Sequence, residues 1–213
     1  MKCVVLLIDL WGWVKLARTV IVNSGGANVG SVSFALDRIG VSHEVSISPS
    51  AIQRADRVIL PGVGAFDTVA RRLSEMQVLD TVKTFNRPLL GICVGMQILY
   101  RGSSEGNLPG LGIIDSTIDR IPQSSGVTVP HMGWNQLVTI GDSEESFVSQ
   151  FQKEWFYFTH SYAAPISSNT LATVKHGIDF TSICSSSNFL GVQFHPEKSG
   201  DLGLDFLSGF VKQ

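Results

Sequence analysis

The stretch Pro88-Leu89-Leu90-Gly91-Ile92-Cys93-Val94-Gly95-Met96-Gln97 constrains the fold more than any other part of the chain. Residues 89–92 form a short apolar run and predict a buried strand. Residues 94–100 predict a helix. The change of character falls at Cys93, with glycine two residues before it and two residues after it. That is the G-x-nucleophile-x-G spacing of a strand–turn–helix elbow. So sharp a turn needs small neighbours, because a Cβ at Gly91 or Gly95 would crowd the strand and the helix against each other. The turn pushes the sulfur out of the sheet, and the free N–H groups and positive dipole of a helix start favour the thiolate. Free cysteine is also among the most buried residue types. The junction alone is therefore more often packing than catalysis, and the rest of the chain has to decide.

Length and composition narrow the choices. A chain of 213 residues with 44% hydrophobic and 16% charged residues can bury a sizeable core, and fits one large domain better than two. A net charge of −2 gives no electrostatic footprint for nucleic acid, and no Lys/Arg block suggests a membrane patch. Cys3, Cys93 and Cys184 are too few and too scattered for a disulfide framework or a metal site, which suits the reducing cytoplasm. No metal and no cofactor is expected.

Residues 1–17 combine an apolar run with Trp11 and Trp13. Asp9 and Lys15 count against a signal peptide, and the run is too short to span a bilayer. Residues 1–18 are read as an N-terminal extension and 19–213 as the folded domain. Strands are predicted at 19–22, 41–47 and 57–60. A helix is predicted at 29–39, a short one from Pro49, one capped by Asp67, and another at 78–85. This alternation argues for an α/β fold with an open, mostly parallel central sheet and flanking helices. Later runs, at 113–121, 127–129, 136–140, 154–162, 170–175, 180–185 and 190–194, read as antiparallel strands. A closing helix carries Leu202, Phe206 and Phe210.

A thiolate that attacks a carbonyl needs a base, a group that orients the base, and donors for the oxyanion. His43 and His176 sit in polar contexts and read as surface residues. His195 stands out in Phe194-His195-Pro196-Glu197. At strand spacing, residues 195 and 197 point to the same side, so a carboxylate can hold the imidazole. His160 is the rival base. Pro61-Gly62-Val63-Gly64-Ala65-Phe66 is Gly-rich but lacks the Lys-Ser/Thr of a phosphate-binding loop.

Gly91-Ile92-Cys93-Val94-Gly95-Met96-Gln97 together with Phe194-His195-Pro196-Glu197 resembles the class I, triad-type glutamine amidotransferases. Four further stretches are similar to one branch of that family, the glutaminase subunits of imidazole glycerol phosphate synthases. They are Leu60 to Phe66, Pro130-His131-Met132-Gly133-Trp134-Asn135, Tyr157-Phe158-Thr159-His160-Ser161-Tyr162 and His195 to Gly200. The resemblance implies a flavodoxin-like sheet with Cys93 as nucleophile, His195 as acid/base and Glu197 as orienting carboxylate. Val63, Gly64 and Val94 would supply the oxyanion N–H groups. Gln97, Ser161 and Tyr162 would bind L-glutamine. Met132, Trp134, Tyr157 and Lys198 would face a (β/α)8-barrel cyclase subunit in a heterodimer. For Trp134 a core position is the other reading. Ammonia would pass to that subunit, which makes imidazole glycerol phosphate and an aminoimidazole carboxamide ribotide in histidine biosynthesis. The implied oxyanion peptide turns inward only when the partner is docked. Another ammonia acceptor, or a regulatory partner without turnover, are the alternatives. Asn23-Ser24-Gly25-Gly26 departs from the family's more usual Asp-Tyr-Gly-Met.

Overall fold

The computed structural model describes residues 6–8, 14–25, 28–140 and 147–213. The first half alternates strands and helices. In chain order these are β1 (Leu6–Ile8), β2 (Val14–Leu16), β3 (Thr19–Val22), α1 (Asn28–Arg38), β4 (His43–Ser46), α2 (Pro49–Arg54), β5 (Arg57–Gly62), α3 (Phe66–Glu75), α4 (Val78–Lys83), β6 (Leu89–Cys93) and α5 (Val94–Gln97). The second half is mostly strand: β7 (Tyr100–Ser103), β8 (Ile114–Arg120), β9 (His131–Gln136), β10 (Val138–Thr139), β11 (Trp155–His160), β12 (Tyr162–Ala163), β13 (Thr170–His176), β14 (Ile178–Ser186) and β15 (Phe189–Val192). The helix α6 (Gly200–Val211) closes the chain.

The main sheet has eight strands in the order β10-β13-β14-β15-β6-β5-β3-β4. The five from β15 to β4 are parallel, and β14, β13 and β10 extend the sheet antiparallel. The parallel strands β3, β5 and β6 are buried and read as near-continuous apolar runs, as a sheet covered on both faces requires. The chain steps from β3 to β4 in one direction and then to β5 in the other. With right-handed crossovers this puts α1 on one face, where it meets α6, and α2, α3 and α4 on the other. The reversal between β3 and β5 leaves a crevice at the carboxyl ends of the parallel strands, the place where open α/β sheets put their sites. The fold is therefore the expected α/β architecture.

Besides the N-terminal pair β1-β2, two smaller sheets accompany the main sheet. The strands β12, β8 and β7 form one, and β11 pairs with β9 as a two-stranded ribbon. An aromatic cluster ties the ribbon to the sheet. Phe194 stacks on Phe156 of β11 at 4.2 Å between ring centroids and meets Phe206 of α6 at 5.3 Å. All three rings are fully buried, each stabilising the fold by about 2–3 kcal/mol relative to exposure. Their packing fixes the chain one residue before His195.

Several local expectations differ. The helix after Cys93 is a single turn, and Tyr100 already belongs to β7. Residues 94–100 are buried all round, so apolar periodicity could not separate helix from strand. The dipole argument weakens with so short a helix, and what remains is its free N–H groups. Asp67 does not cap α3; it lies inside the first turn and accepts the backbone N–H groups of Asn107 (3.1 Å) and Leu108 (3.0 Å). Residues 127–129 make only an isolated bridge from Val127 to Ser124. His43 and His176 are half-buried: His43 bonds Ser33 at 2.6 Å, and His176 stacks on His131 at 4.1 Å. Trp134 lies on strand β9 and is 53% exposed, so the core reading fails. In the N-terminal segment β1 pairs antiparallel with β2, while Trp11 and Trp13 lie outside the described residues.

Candidate active site

The elbow forms because three glycines let two strands and a turn touch. In the register of the sheet Leu60 faces Gly91 and Gly62 faces Cys93. A Cβ on Gly95 would lie 1.8 Å from the Leu60 carbonyl oxygen, one on Gly91 2.6 Å from the Gly95 carbonyl oxygen, and one on Gly62 2.7 Å from the Gly95 nitrogen. Cys93 itself is held at φ 54°, ψ −112°, a backbone state that an L-residue occupies only when its surroundings force it. The result lifts the sulfur into a cavity of about 490 Å³ at the carboxyl ends of β5 and β6.

His195 reaches this cavity from the end of the segment after β15. Its backbone is pinned twice: its N–H donates to the Tyr157 carbonyl (2.9 Å), and its carbonyl accepts from Ser199 Oγ (2.7 Å). Pro196 and Glu197 begin a 3₁₀ turn that folds the carboxylate back under the ring. Glu197 Oε1 accepts from His195 Nδ1 at 2.7 Å, with both side chains fully buried. Nε2 is buried and has no nitrogen or oxygen partner among the described residues; the Cys93 sulfur is the group that acts on the ring from the side away from Glu197. Burial by itself would lower the imidazole pKa. The Cys93 sulfur and the Glu197 carboxylate outweigh burial and push it up to about 10. A cationic neighbour is the setting in which a cysteine reacts as thiolate.

The cavity wall gathers most of the residues singled out in the sequence. Val63, Gly64, Val94, Gln97, Ser161, Tyr162 and Lys198 line it with Cys93 and His195. Gly64 has φ +95° and open space around its Cα, so the Val63–Gly64 peptide can rotate with little cost. Ser24 Oγ donates to the Pro61 carbonyl at 2.5 Å and ties the loop after β3 to this segment. The Gln97 side chain is committed within the protein: its Nε2 donates to the Tyr162 carbonyl and to Gln193 Oε1, both at 3.1 Å. Met132, Trp134 and Tyr157 lie outside the cavity, on the β9/β11 ribbon. Trp134 and Tyr157 face each other in register, with ring centroids 6.0 Å apart.

His160 lines the cavity, yet both its ring nitrogens are taken. Nδ1 donates to the Tyr162 carbonyl at 2.8 Å, and Nε2 therefore accepts from His131 Nδ1 at 3.0 Å. Burial pushes its pKa down to about 3, so it stays neutral, and it has no free nitrogen for a substrate proton. Sequence reasoning missed Asn28, Ser31, Glu105 and Thr159 on the wall. Glu105 comes from the turn after β7, where no motif marks it; its Oε2 accepts from the Phe66 N–H at 2.8 Å. Asn28 Nδ2 lies 3.3 Å from His195 Nδ1. Gln193 was also missed; β15 ends at Val192 and Glu197 lies in the 3₁₀ turn, so the strand alternation expected over 195–197 is not what positions these side chains. Among the described residues no His/Cys/Asp/Glu group could hold a metal ion, and no helix is long and apolar enough to cross a membrane.

A doubly wound sheet with a strained cysteine elbow, facing a histidine held by a buried carboxylate, places the chain among α/β proteins with a Cys-His-carboxylate site. Residues 20–212 match the family model described as glutamine amidotransferase class-I, and the chain belongs to that family. Among curated relatives, the imidazole glycerol phosphate synthase subunit HisH of Mannheimia succiniciproducens is 40% identical over 91% of this chain and 98% of its own length. The HisH subunit of Xanthomonas campestris pv. campestris is 41% identical over 90% of this chain and 96% of its own. Among solved structures, one described as a glutamine amidotransferase superposes with a TM-score of 0.70 at 17% identity, covering 91% of this chain and 97% of that one. A structure described as PurLQS from Thermotoga maritima superposes with a TM-score of 0.67 at 16% identity, covering 91% and 97%. At such identities these superpositions speak for the fold.

Proposed function

We propose that the chain is the glutaminase subunit of an imidazole glycerol phosphate synthase, hydrolysing L-glutamine and delivering the ammonia to a (β/α)8-barrel cyclase subunit. The observation that carries the chemistry is the fully buried His195–Glu197 pair at 2.7 Å, facing Cys93 in the cavity. The HisH relatives, matched over nearly their whole length, carry the assignment to histidine biosynthesis. The domain is read as residues 19–213, with 1–18 an extension before it. Cys93 and Cys184 are free thiols, in keeping with a reducing cytoplasm.

In this reading the Cys93 sulfur attacks the side-chain amide carbon of glutamine. The negative charge that forms on the amide oxygen meets the N–H of Val94 and a rotated peptide at Val63–Gly64. The His195 imidazolium gives its proton to the amide nitrogen, and ammonia leaves. Water then attacks the glutamyl thioester with His195 taking its proton, the carbon–sulfur bond breaks, and glutamate departs. Glu197 keeps the ring oriented and its positive form stabilised throughout. Ser161 and Tyr162 hold the amino-acid end of glutamine beside Gln97. Glu105 has one carboxylate oxygen tied to Phe66, and its charge suits the substrate ammonium group.

The exposed ribbon is the partner surface. Met132 is 64% exposed and Trp134 53%, next to Tyr157, and the Tyr157 carbonyl holds the His195 N–H. Exposed Met and aromatic residues are enriched at protein interfaces. Lys198 lines the cavity from the turn that packs against β11. Glutamine hydrolysis should be slow for the isolated chain and rise at least tenfold when the barrel partner and its ligand are added. Full activity of the isolated chain would sink the gating idea. No hydrolysis under either condition would sink the enzyme reading.

A further inference from the structure

One buried polar side chain at the nucleophile has no part in the triad. Gln193 is 0% exposed, and its Nε2 lies 3.7 Å from Cys93 Sγ, within the longer reach of a hydrogen bond to sulfur. Amide nitrogen and oxygen are alike in shape, so the network has to say which of them faces the sulfur. The Tyr162 carbonyl can only accept, so the end of Gln97 that meets it at 3.1 Å is the NH2 group. The same NH2 group meets Gln193 at 3.1 Å, so the Gln193 atom facing it is the oxygen. The Gln193 NH2 group is left toward the sulfur. Its backbone is fixed as well, by an N–H donated to the Ser182 carbonyl at 2.8 Å.

We infer that Gln193 is a positioning residue whose side-chain N–H donates to Cys93 Sγ, holding the sulfur toward His195 and stabilising it as thiolate. The inference deepens the proposed triad and rests on it. A donor on an ionised acceptor is roughly twice as strong as one on a neutral group, and burial strengthens it again. The N–H matters at two moments. Before attack it holds the sulfur in place beside His195. During hydrolysis of the thioester the carbon–sulfur bonding pair returns to sulfur, and the N–H meets the charge as it re-forms. His195, which has just accepted the proton of water, is then a cation beside the same sulfur, and the amide N–H adds a second, uncharged donor from another direction.

Two substitutions separate this from mere support of Gln97. Gln193→Glu keeps an oxygen for Gln97 and nearly the same volume, but its carboxylate offers no hydrogen to the sulfur and adds a negative charge beside it, so it is read together with an uncharged variant. Gln193→Met removes both contacts. The readout is the pH dependence of Cys93 alkylation by iodoacetamide in the full chain, with the modified residue identified by mass spectrometry and folding checked by thermal unfolding. Gln193→Met should move the midpoint up by roughly one pH unit, about tenfold slower alkylation below it, and Gln193→Glu by more, because its charge adds to the loss of the donor. A folded Gln193→Met variant with the wild-type midpoint overturns the inference, since no added charge then masks the missing donor. Should neither variant fold, the Gln193 side-chain NH2 resonances of the wild-type chain are followed by 15N NMR through a pH titration. A shift that disappears in Cys93→Ser supports the donor; resonances that do not titrate overturn it. Labelling of Cys93 by a glutamine-analogue diazoketone tests the glutaminase reading separately. Its failure would leave the iodoacetamide profile free to decide Gln193.

Discussion

Replacing Gly95 by alanine tests whether the shape of the elbow, and not its cysteine alone, sets the activity. A Cβ there would lie 1.8 Å from the Leu60 carbonyl oxygen and 2.9 Å from the carbonyl carbon. The obstacle is main chain in the middle of β5, paired on both sides by β3 and β6, so it cannot swing away as a side-chain tip could. Real Cβ contacts essentially never fall below 3.0 Å. The turn carrying Val94 and Cys93 must therefore back off from the sheet by roughly 1 Å, a displacement that can cost about 100-fold in rate at a reacting atom. Overpacking so rigid a site costs about 1–3 kcal/mol, or roughly 3–10 °C in Tm for a chain of this size. Gly30→Ala is the control. It sits on α1 with nothing within 4 Å of the added Cβ, and should stabilise by about 0.5–1 kcal/mol without changing the rate. The assays are thermal unfolding by circular dichroism and glutamine hydrolysis with the barrel subunit present. A Gly95→Ala variant with wild-type Tm and a rate within twofold of wild type would refute the steric account.

Glu197→Gln keeps a neighbour for the His195 ring but removes the charge. The His195 pKa should drop from about 10 by roughly one unit, the difference between a charged and a neutral hydrogen bond. The alkaline limb of glutamine hydrolysis, where the imidazolium is lost, should move to lower pH; an unmoved limb would show that the carboxylate does not tune the ring. Stability carries the same signature. The contribution of His195 is complete below about pH 6.5 and is lost as pH rises through about 10. His131 and His160 act in the opposite sense: burial, ahead of the charge of neighbouring histidines, pushes them down to about 4 and about 3. An unfolded chain takes up those protons near pH 6.5 while the folded chain does not, so stability should fall as pH drops from about 6.5 toward 4. His160→Gln should flatten that acid loss in denaturation curves, and an unchanged slope would count against it. Glu105→Gln should raise the KM for glutamine by about tenfold, the worth of a single charged contact, with little change in kcat. A KM equal to wild type would remove Glu105 from the substrate site.

Much of the architecture was legible in the chain because burial leaves a pattern. Residues 19–22, 57–60 and 89–92 read as apolar runs between helical periods, and they are the parallel strands at the centre of the sheet. The family followed from short motifs whose residue types are tied to one chemistry. Periodicity failed where a segment is apolar on every side, as in residues 94–100, and it left residues 131–135 of β9 without a predicted element. The cap assigned to Asp67 failed because its partners, Asn107 and Leu108, come from another turn of the chain.

The sequence by itself determined the elbow: glycine at 91 and 95 around Cys93 admits a turn that other residues would obstruct. It also put a carboxylate two residues after His195, although a 3₁₀ turn at Pro196–Lys198, and not the strand alternation read from the sequence, brings it to the ring. These are short-range consequences of backbone geometry. Tertiary structure alone decided that Leu60 is the wall against which Gly95 must be small, that Gly62 completes the contact, and that Gln193 points its amide at the sulfur. It also decided that His160, which stands beside a strand just as His195 does, has both nitrogens engaged by Tyr162 and His131. Each of these depends on which distant segments the sheet brings into contact, and a side chain's chemistry follows from what fills its hydrogen-bonding positions once the chain has closed around it.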